Sequence, residues 1–161
     1  MSQERRQFWH GGAPGRRPGD LLTSPQARGL SLGPTHRASL EQGQTRIAQR
    51  PDRVYVTLSR DMAWAYASNW LGPNGHRGGG CLYLVETHAY EPDEDMRSLR
   101  GVSFQCVEAT VILSAGTVKF DAKRVRRIIG DAYARLERAK RDGRPEVVTP
   151  GRNALDGGAP R

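Results

Sequence analysis

Histidine, tyrosine and carboxylate side chains recur along this chain in an order suited to chemistry on a sugar. His10 precedes Gly11 and Gly12 in the string FWHGGAPGRRPGDLL, running from Phe8 to Leu22. A histidine ring N–H can hydrogen-bond a ribose hydroxyl. Glycines let a ligand come close to the backbone, which would offer it the amide and carbonyl of Gly11. Tyr55 and Tyr66 lie in VYVTLSRDMAWAYAS, from Val54 to Ser68. Two rings separated by a strand-to-helix turn can wall a slot for a flat ring, each aromatic pair contributing about 0.5–1.5 kcal/mol. Glu91, Asp93, Glu94 and Asp95 close the string LYLVETHAYEPDED. A carboxylate beside an N-glycosidic bond can stabilise a developing oxocarbenium ion or deprotonate an attacking hydroxyl. Each piece alone has an ordinary reading: a histidine at a strand end, two core tyrosines, a solvated acidic loop.

The elements that must position these residues are legible in outline. The segment from Phe8 to Leu22 reads as a short strand, a Gly/Pro turn and an apolar exit at Gly19-Asp20-Leu21-Leu22. Residues from Thr23 to Arg53 are rich in Gly, Pro, Ser, Gln and Arg and read as a long loop, with a weak helix over Ala38 to Gln49. Arg53 to Leu58 is a strand centred on Val54, Tyr55 and Val56. Ser59 is a helix N-cap with Asp61 in the first turn, and Gly72 closes that helix. Gly72 to Gly80 is a flexible connection, Cys81 to Glu86 a strand, and Phe104 to Leu113 another single strand. Asp121 caps a last helix whose stripe of Val125, Ile128, Ile129, Ala132, Leu136 and Ala139 opposes an arginine-rich face and ends near Gly143.

Bulk properties narrow the class. A chain of 161 residues supports one hydrophobic core. Its apolar fraction of 37% leaves room for flexible stretches beside that core. Residues 1–120 form the expected domain, 121–143 a basic amphipathic helix and 144–161 a disordered tail. No apolar run approaches the length that spans a bilayer, and the charged start MSQERRQFWHGG lacks a signal-peptide core, so the expected location is cytoplasmic. Cys81 and Cys106 each sit in an apolar run and read as small buried hydrophobes, with no metal site implied. Most of the net charge of +8 falls between Ala122 and Arg144, where nine cations face three acids. That helix reads either as a solvated basic face or as a nucleic-acid contact.

The order and spacing of the pieces resemble the Arr-type rifamycin ADP-ribosyltransferases, within the His-Tyr-acid branch of ADP-ribosyltransferases. His10-Gly11 running into Gly19-Asp20-Leu21-Leu22 is similar to the family's opening. Val54-Tyr55-Val56-Thr57 and the Ala-rich helix resemble its second segment, and Tyr83-Leu84-Val85-Glu86 with Asp93 to Asp95 its third. Ser103-Phe104-Gln105 resembles the start of its last core strand, and the Tyr55-to-Tyr66 spacing is similar to that of the poly-ADP-ribose polymerases, whose two rings sandwich nicotinamide. The resemblance covers Phe8 to Val118; the loop from Thr23 to Arg53 looks longer than its counterpart and the basic helix has none. It implies an α+β fold, a small split antiparallel sheet with flanking helices and NAD bound in the cleft between its halves. It also implies a transferase that moves ADP-ribose from NAD, as co-substrate, to an acceptor hydroxyl on a rifamycin-like small molecule or a macromolecule. The implied catalytic residues are His10, Tyr55 and Asp93, with Asp95 in reserve, and His10, Gly11, Tyr55 and Tyr66 hold the NAD. Two alternatives stand beside this reading. One is an NAD-dependent RNA 2'-phosphotransferase-like enzyme; the other is a non-catalytic basic module binding nucleic acid or protein.

Overall fold

The computed structural model describes residues 5–30, 50–94, 99–144 and 146–147. Period-two alternation of apolar side chains generates a seven-stranded antiparallel sheet. Its strands are β1 (Arg6–Gly12), β2 (Leu21–Thr23), β3 (Val54–Thr57), β4 (Gly80–Thr87), β5 (Tyr90–Pro92), β7 (Ser103–Cys106) and β8 (Glu108–Val118). Their spatial order is β2-β8-β4-β1-β3-β7-β5. β6 (Leu99–Arg100) and β9 (Glu146–Val147) form a separate parallel pair, so the chain returns to the domain inside the segment expected to be a tail. With the two α-helices among the described residues, the fold is α+β.

The sheet is unevenly zipped at its centre. β1 pairs with β4 over its whole length, from Arg6↔Thr87 to Gly12↔Cys81. On its other side β1 meets β3 at the single pair Trp9↔Thr57. Beyond that pair the two strands diverge, and a cleft opens between them. On β3 and β7 the alternation sends Val54, Val56, Phe104 and Cys106 into a core shared with Phe8, Tyr83, Val85 and Val111. It turns Tyr55, Thr57, Ser103 and Gln105 to the opposite face.

The first helix, α1 (Arg60–Ser68), starts where Ser59 Oγ accepts a hydrogen bond from Met62 N. It ends at Ser68 with Asn69 as C-cap, earlier than the expected Gly72, because the chain tightens there: Trp70 N bonds Ala67 O three residues back. The second, α2 (Ala122–Asp142), begins at Asp121, whose carboxylate accepts from Arg124 N, and stops at Gly143 in the left-handed region. Leu136 and Ala139 of α2 pack with Met62 and Val102, and Tyr66, Ile128 and Ala132 rest against that cluster. Helix α2 therefore backs the helix that carries Tyr66.

The expected single strand over Phe104 to Leu113 is two strands in different parts of the sheet. β7 lies beside β3, whereas β8 lies beside β4. The apolar alternation slips phase between them, from Phe104 and Cys106 to Ala109 and Val111, and Val107 at the break is 60% exposed. The weak helix over Ala38 to Gln49 falls outside the described residues, apart from which the loop holds a 3-10 turn at Gln26–Arg28. No helix among the described residues is long and apolar enough to cross a membrane.

Candidate active site at the sheet split

The divergence of β1 and β3 leaves a cavity of about 170 Å³ between them. Trp9, His10, Gly11 and Gly12 of β1 line it, as do Val54 to Thr57 of β3, and Tyr66 and Trp70 at the C-terminal end of α1. His10, Gly11, Tyr55 and Tyr66 thus come to one place from three separate elements. A cavity of this size is on the scale that takes up one aromatic ring, and its aromatic walls suit a flat one.

The two glycines earn their places through space rather than backbone angle, since neither has a positive φ. A Cβ on Gly11 would lie 1.9 Å from Ala63 O and 2.7 Å from Ala67 N. The backbone of α1 therefore fills the volume that a side chain would need, and this close approach brings Tyr66 over the cavity. A Cβ on Gly12 would lie 2.6 Å from His10 Nε2. The bare Gly12 backbone leaves that ring nitrogen accessible.

His10 replaces the backbone pairing that β1 and β3 lack: its Nδ1 lies 2.9 Å from Tyr55 O. A carbonyl can only accept, so Nδ1 carries the proton. Burial lowers the pKa of His10 below its usual 6.5; the bond to Tyr55 opposes the shift, and the charges of Arg28 and Arg16 add to it. The ring is neutral at pH 7, with an unprotonated Nε2. This corrects the expectation that His10 offers a ligand an N–H: the nitrogen beside Gly12 accepts a hydroxyl proton instead. Tyr83 stacks beside the ring, with centroids 6.4 Å apart. The Tyr83 hydroxyl donates to Ala13 O and accepts from Arg16 N, pinning the loop that follows β1. Burial pushes the Tyr83 phenol up to about 12, so it remains a donor throughout the physiological range.

Asp93 stands one side chain back from the cavity. It is buried, and Ser103 Oγ donates to its Oδ2 at 2.8 Å, while Ser103 itself lines the wall. The main chain repeats the link, with Asp93 N donating to Ser103 O. Glu91 faces outward on β5 and takes bonds from Gln105 Nε2 and Arg53 Nε. Glu94 lies near Arg50, and Asp95 falls outside the described residues. The acidic turn is thus not uniformly solvated.

Sequence reasoning did not single out three contributors. Arg16 and Arg28 line the cavity, and neither makes an ion pair among the described residues. Partial desolvation and then the Arg16 charge lower the Arg28 pKa. Two like charges held near each other, with no acid paired to either among the described residues, favour an anionic ligand. Gln105 is 1% exposed, opposite Tyr55 in register, and its Oε1 has no hydrogen-bond partner among the described residues. The period-two face shared by Ser103 and Gln105 was the available signal for the glutamine; the arginines, in a turn-rich stretch, gave none. Cys81 and Cys106 are buried free thiols, and burial raises Cys106 to about 11, which keeps it protonated. No His/Cys/Asp/Glu cluster among the described residues fits a metal.

No protein-family model and no curated protein matches the chain.

Proposed function

We propose that the chain is an NAD-dependent ADP-ribosyltransferase acting on an acceptor hydroxyl. The observation that carries the reading is the meeting of His10, Gly11, Tyr55 and Tyr66 around one ring-sized cavity, with Arg16 and Arg28 on its wall. NAD divides in the same way, into a flat nicotinamide, a ribose and a pyrophosphate. In this reading Tyr55 and Tyr66 flank the nicotinamide, Gly11 backbone groups hold its carboxamide, and His10 Nε2 accepts from a ribose hydroxyl. Arg16 and Arg28 take the pyrophosphate charge.

The reaction breaks the bond between the nicotinamide nitrogen and ribose C1', and its electron pair leaves with neutral nicotinamide. The acceptor oxygen then bonds C1' and gives up its proton to solvent water. Asp93, through Ser103, supplies negative charge near the cationic sugar, and the gain comes from groups preorganised toward charge that develops only in the transition state. The test is incubation of the full chain with labelled NAD and a panel of hydroxyl acceptors, beside calorimetric titration with NAD. Nicotinamide release that His10→Ala abolishes is the expected result. No release with any acceptor, together with no NAD binding, refutes the proposal.

The arginines give a second reading a specific footing. An NAD-dependent RNA 2'-phosphotransferase needs extra cations around a phosphate, and Arg16, Arg28 and Arg53 all line the cavity. Loss of 2'-phosphate from an RNA in the presence of NAD favours this reading over the first.

A further inference from the structure

Most of the excess positive charge of the molecule lies in and just after α2, and five of its cations form one stripe that the cavity does not use. Lys123, Arg126, Arg127, Arg138 and Arg141 recur at helical spacing on the side opposite Val125, Leu136 and Ala139. All five are exposed, and none makes an ion pair among the described residues. The other cations of the helix are engaged: Arg124 with Asp61 and the Trp64 ring, Arg135 with Glu146, Lys140 with Glu137. Between the two basic ends the stripe carries Gly130, Ala134 and Glu137, the last paired with Lys140, and among the described residues nothing lies within 4 Å of a Cβ on Gly130. The centre of the face is therefore low.

We infer that this face of α2 docks the phosphate backbone of a nucleic acid. From Lys123 to Arg141 the stripe is about 27 Å long at a rise of roughly 1.5 Å per residue. That length passes about eight phosphates of one duplex strand. A row of guanidiniums matches a row of phosphates in both charge and fork geometry. An anionic membrane fits less well: a surface-lying helix needs an apolar face to insert, and α2 buries its own against Met62, Val102 and Tyr66. The inference stands apart from the NAD reading, because none of the five residues lines the cavity.

The experiment is fluorescence anisotropy of the full chain with a labelled mixed-sequence RNA strand and a labelled DNA duplex over a salt series. With all five cations engaged, the log–log salt slope is about −4.5 for a duplex and about −3.5 for a single strand. Affinity then falls about 500-fold for the duplex, or about 130-fold for the strand, between roughly 50 and 200 mM salt. The R126Q/R127Q/R138Q variant should shallow the duplex slope to about −1.8 and weaken binding to both probes. Circular dichroism and NAD titration of the same variant check that the fold and the cavity are intact. The salt slopes are read without NAD, so failure of the NAD reading does not touch this one. Three results overturn the inference: no binding to either probe at about 50 mM salt; an unchanged slope in the triple variant; or capture of phosphatidylserine vesicles without binding to either oligonucleotide.

Discussion

Gly12→Ala tests the site at its most sensitive point. The added Cβ would lie 2.6 Å from His10 Nε2 and 3.4 and 3.5 Å from the two ring carbons beside it. It therefore sits close to the ring plane, on the lone pair that the ligand hydroxyl would use. The imidazole has two responses. If it stays, the methyl caps Nε2. If it swings away, it gives up the 2.9 Å bond from Nδ1 to Tyr55 O. Losing that bond costs about 0.5–1.5 kcal/mol of stability, a fall of roughly 2–6 °C in Tm for a chain of this length. Under the proposed function, a ribose hydroxyl is in either case buried without its acceptor, at about 1–3 kcal/mol, which weakens NAD about 5- to 150-fold. Calorimetric titration with NAD and thermal denaturation read the two quantities separately. The two effects share a cause, so Gly12→Ala should cost little further affinity in a His10→Ala background. A Gly12→Ala protein that binds NAD within about twofold of wild type refutes the argument that Nε2 is the contact.

Further outcomes follow from the same geometry. Gly11→Ala must push α1 off β1 by more than 1 Å, since its Cβ would start 1.9 Å from Ala63 O and contacts under 3.0 Å do not persist. Overpacking against backbone costs about 3 kcal/mol, or roughly 6–12 °C in Tm, and a scanning-calorimetry shift below about 2 °C would contradict the packing described. His10 has a folded pKa below its usual 6.5, so the unfolded chain binds the proton more readily. Its contribution to stability is present above about pH 6.5 and is lost as pH falls through the folded value, with a slope of up to about 1.4 kcal/mol per pH unit. Denaturant titrations from acid to neutral pH should show this slope in wild type and lose it in His10→Gln; equal slopes would remove His10 as the cause. Ser103→Ala deletes the 2.8 Å donor to buried Asp93. It should cost about 1–3 kcal/mol of stability, and under the proposed function it should lower kcat more than it raises KM. A selective rise in KM would place Ser103 in ground-state binding instead.

What the sequence disclosed, and what it withheld, divides along one physical line. Features set by neighbours in the chain were readable: Ser59 and Asp121 as caps, the strands around Tyr55 and Cys81 to Glu86, and the apolar stripe of α2. The grouping of His10, Gly11, Tyr55 and Tyr66 was expected too, although only because their order and spacing resemble those of a known family. Features set across the fold were not. The reason for glycine at position 11 is the backbone of a helix more than fifty residues later, and the protonated nitrogen of His10 is fixed by Tyr55 O. Arg28 reaches the cavity from a 3-10 turn after β2, and nothing local marks it. The missed break at Val107 is the instructive exception, because the phase slip from Phe104 and Cys106 to Ala109 and Val111 was present in the string. A strand cannot change faces without a bend. That bend sends β8 across to β4 and leaves β7 beside β3, where Ser103 meets the cavity and Gln105 stands opposite Tyr55.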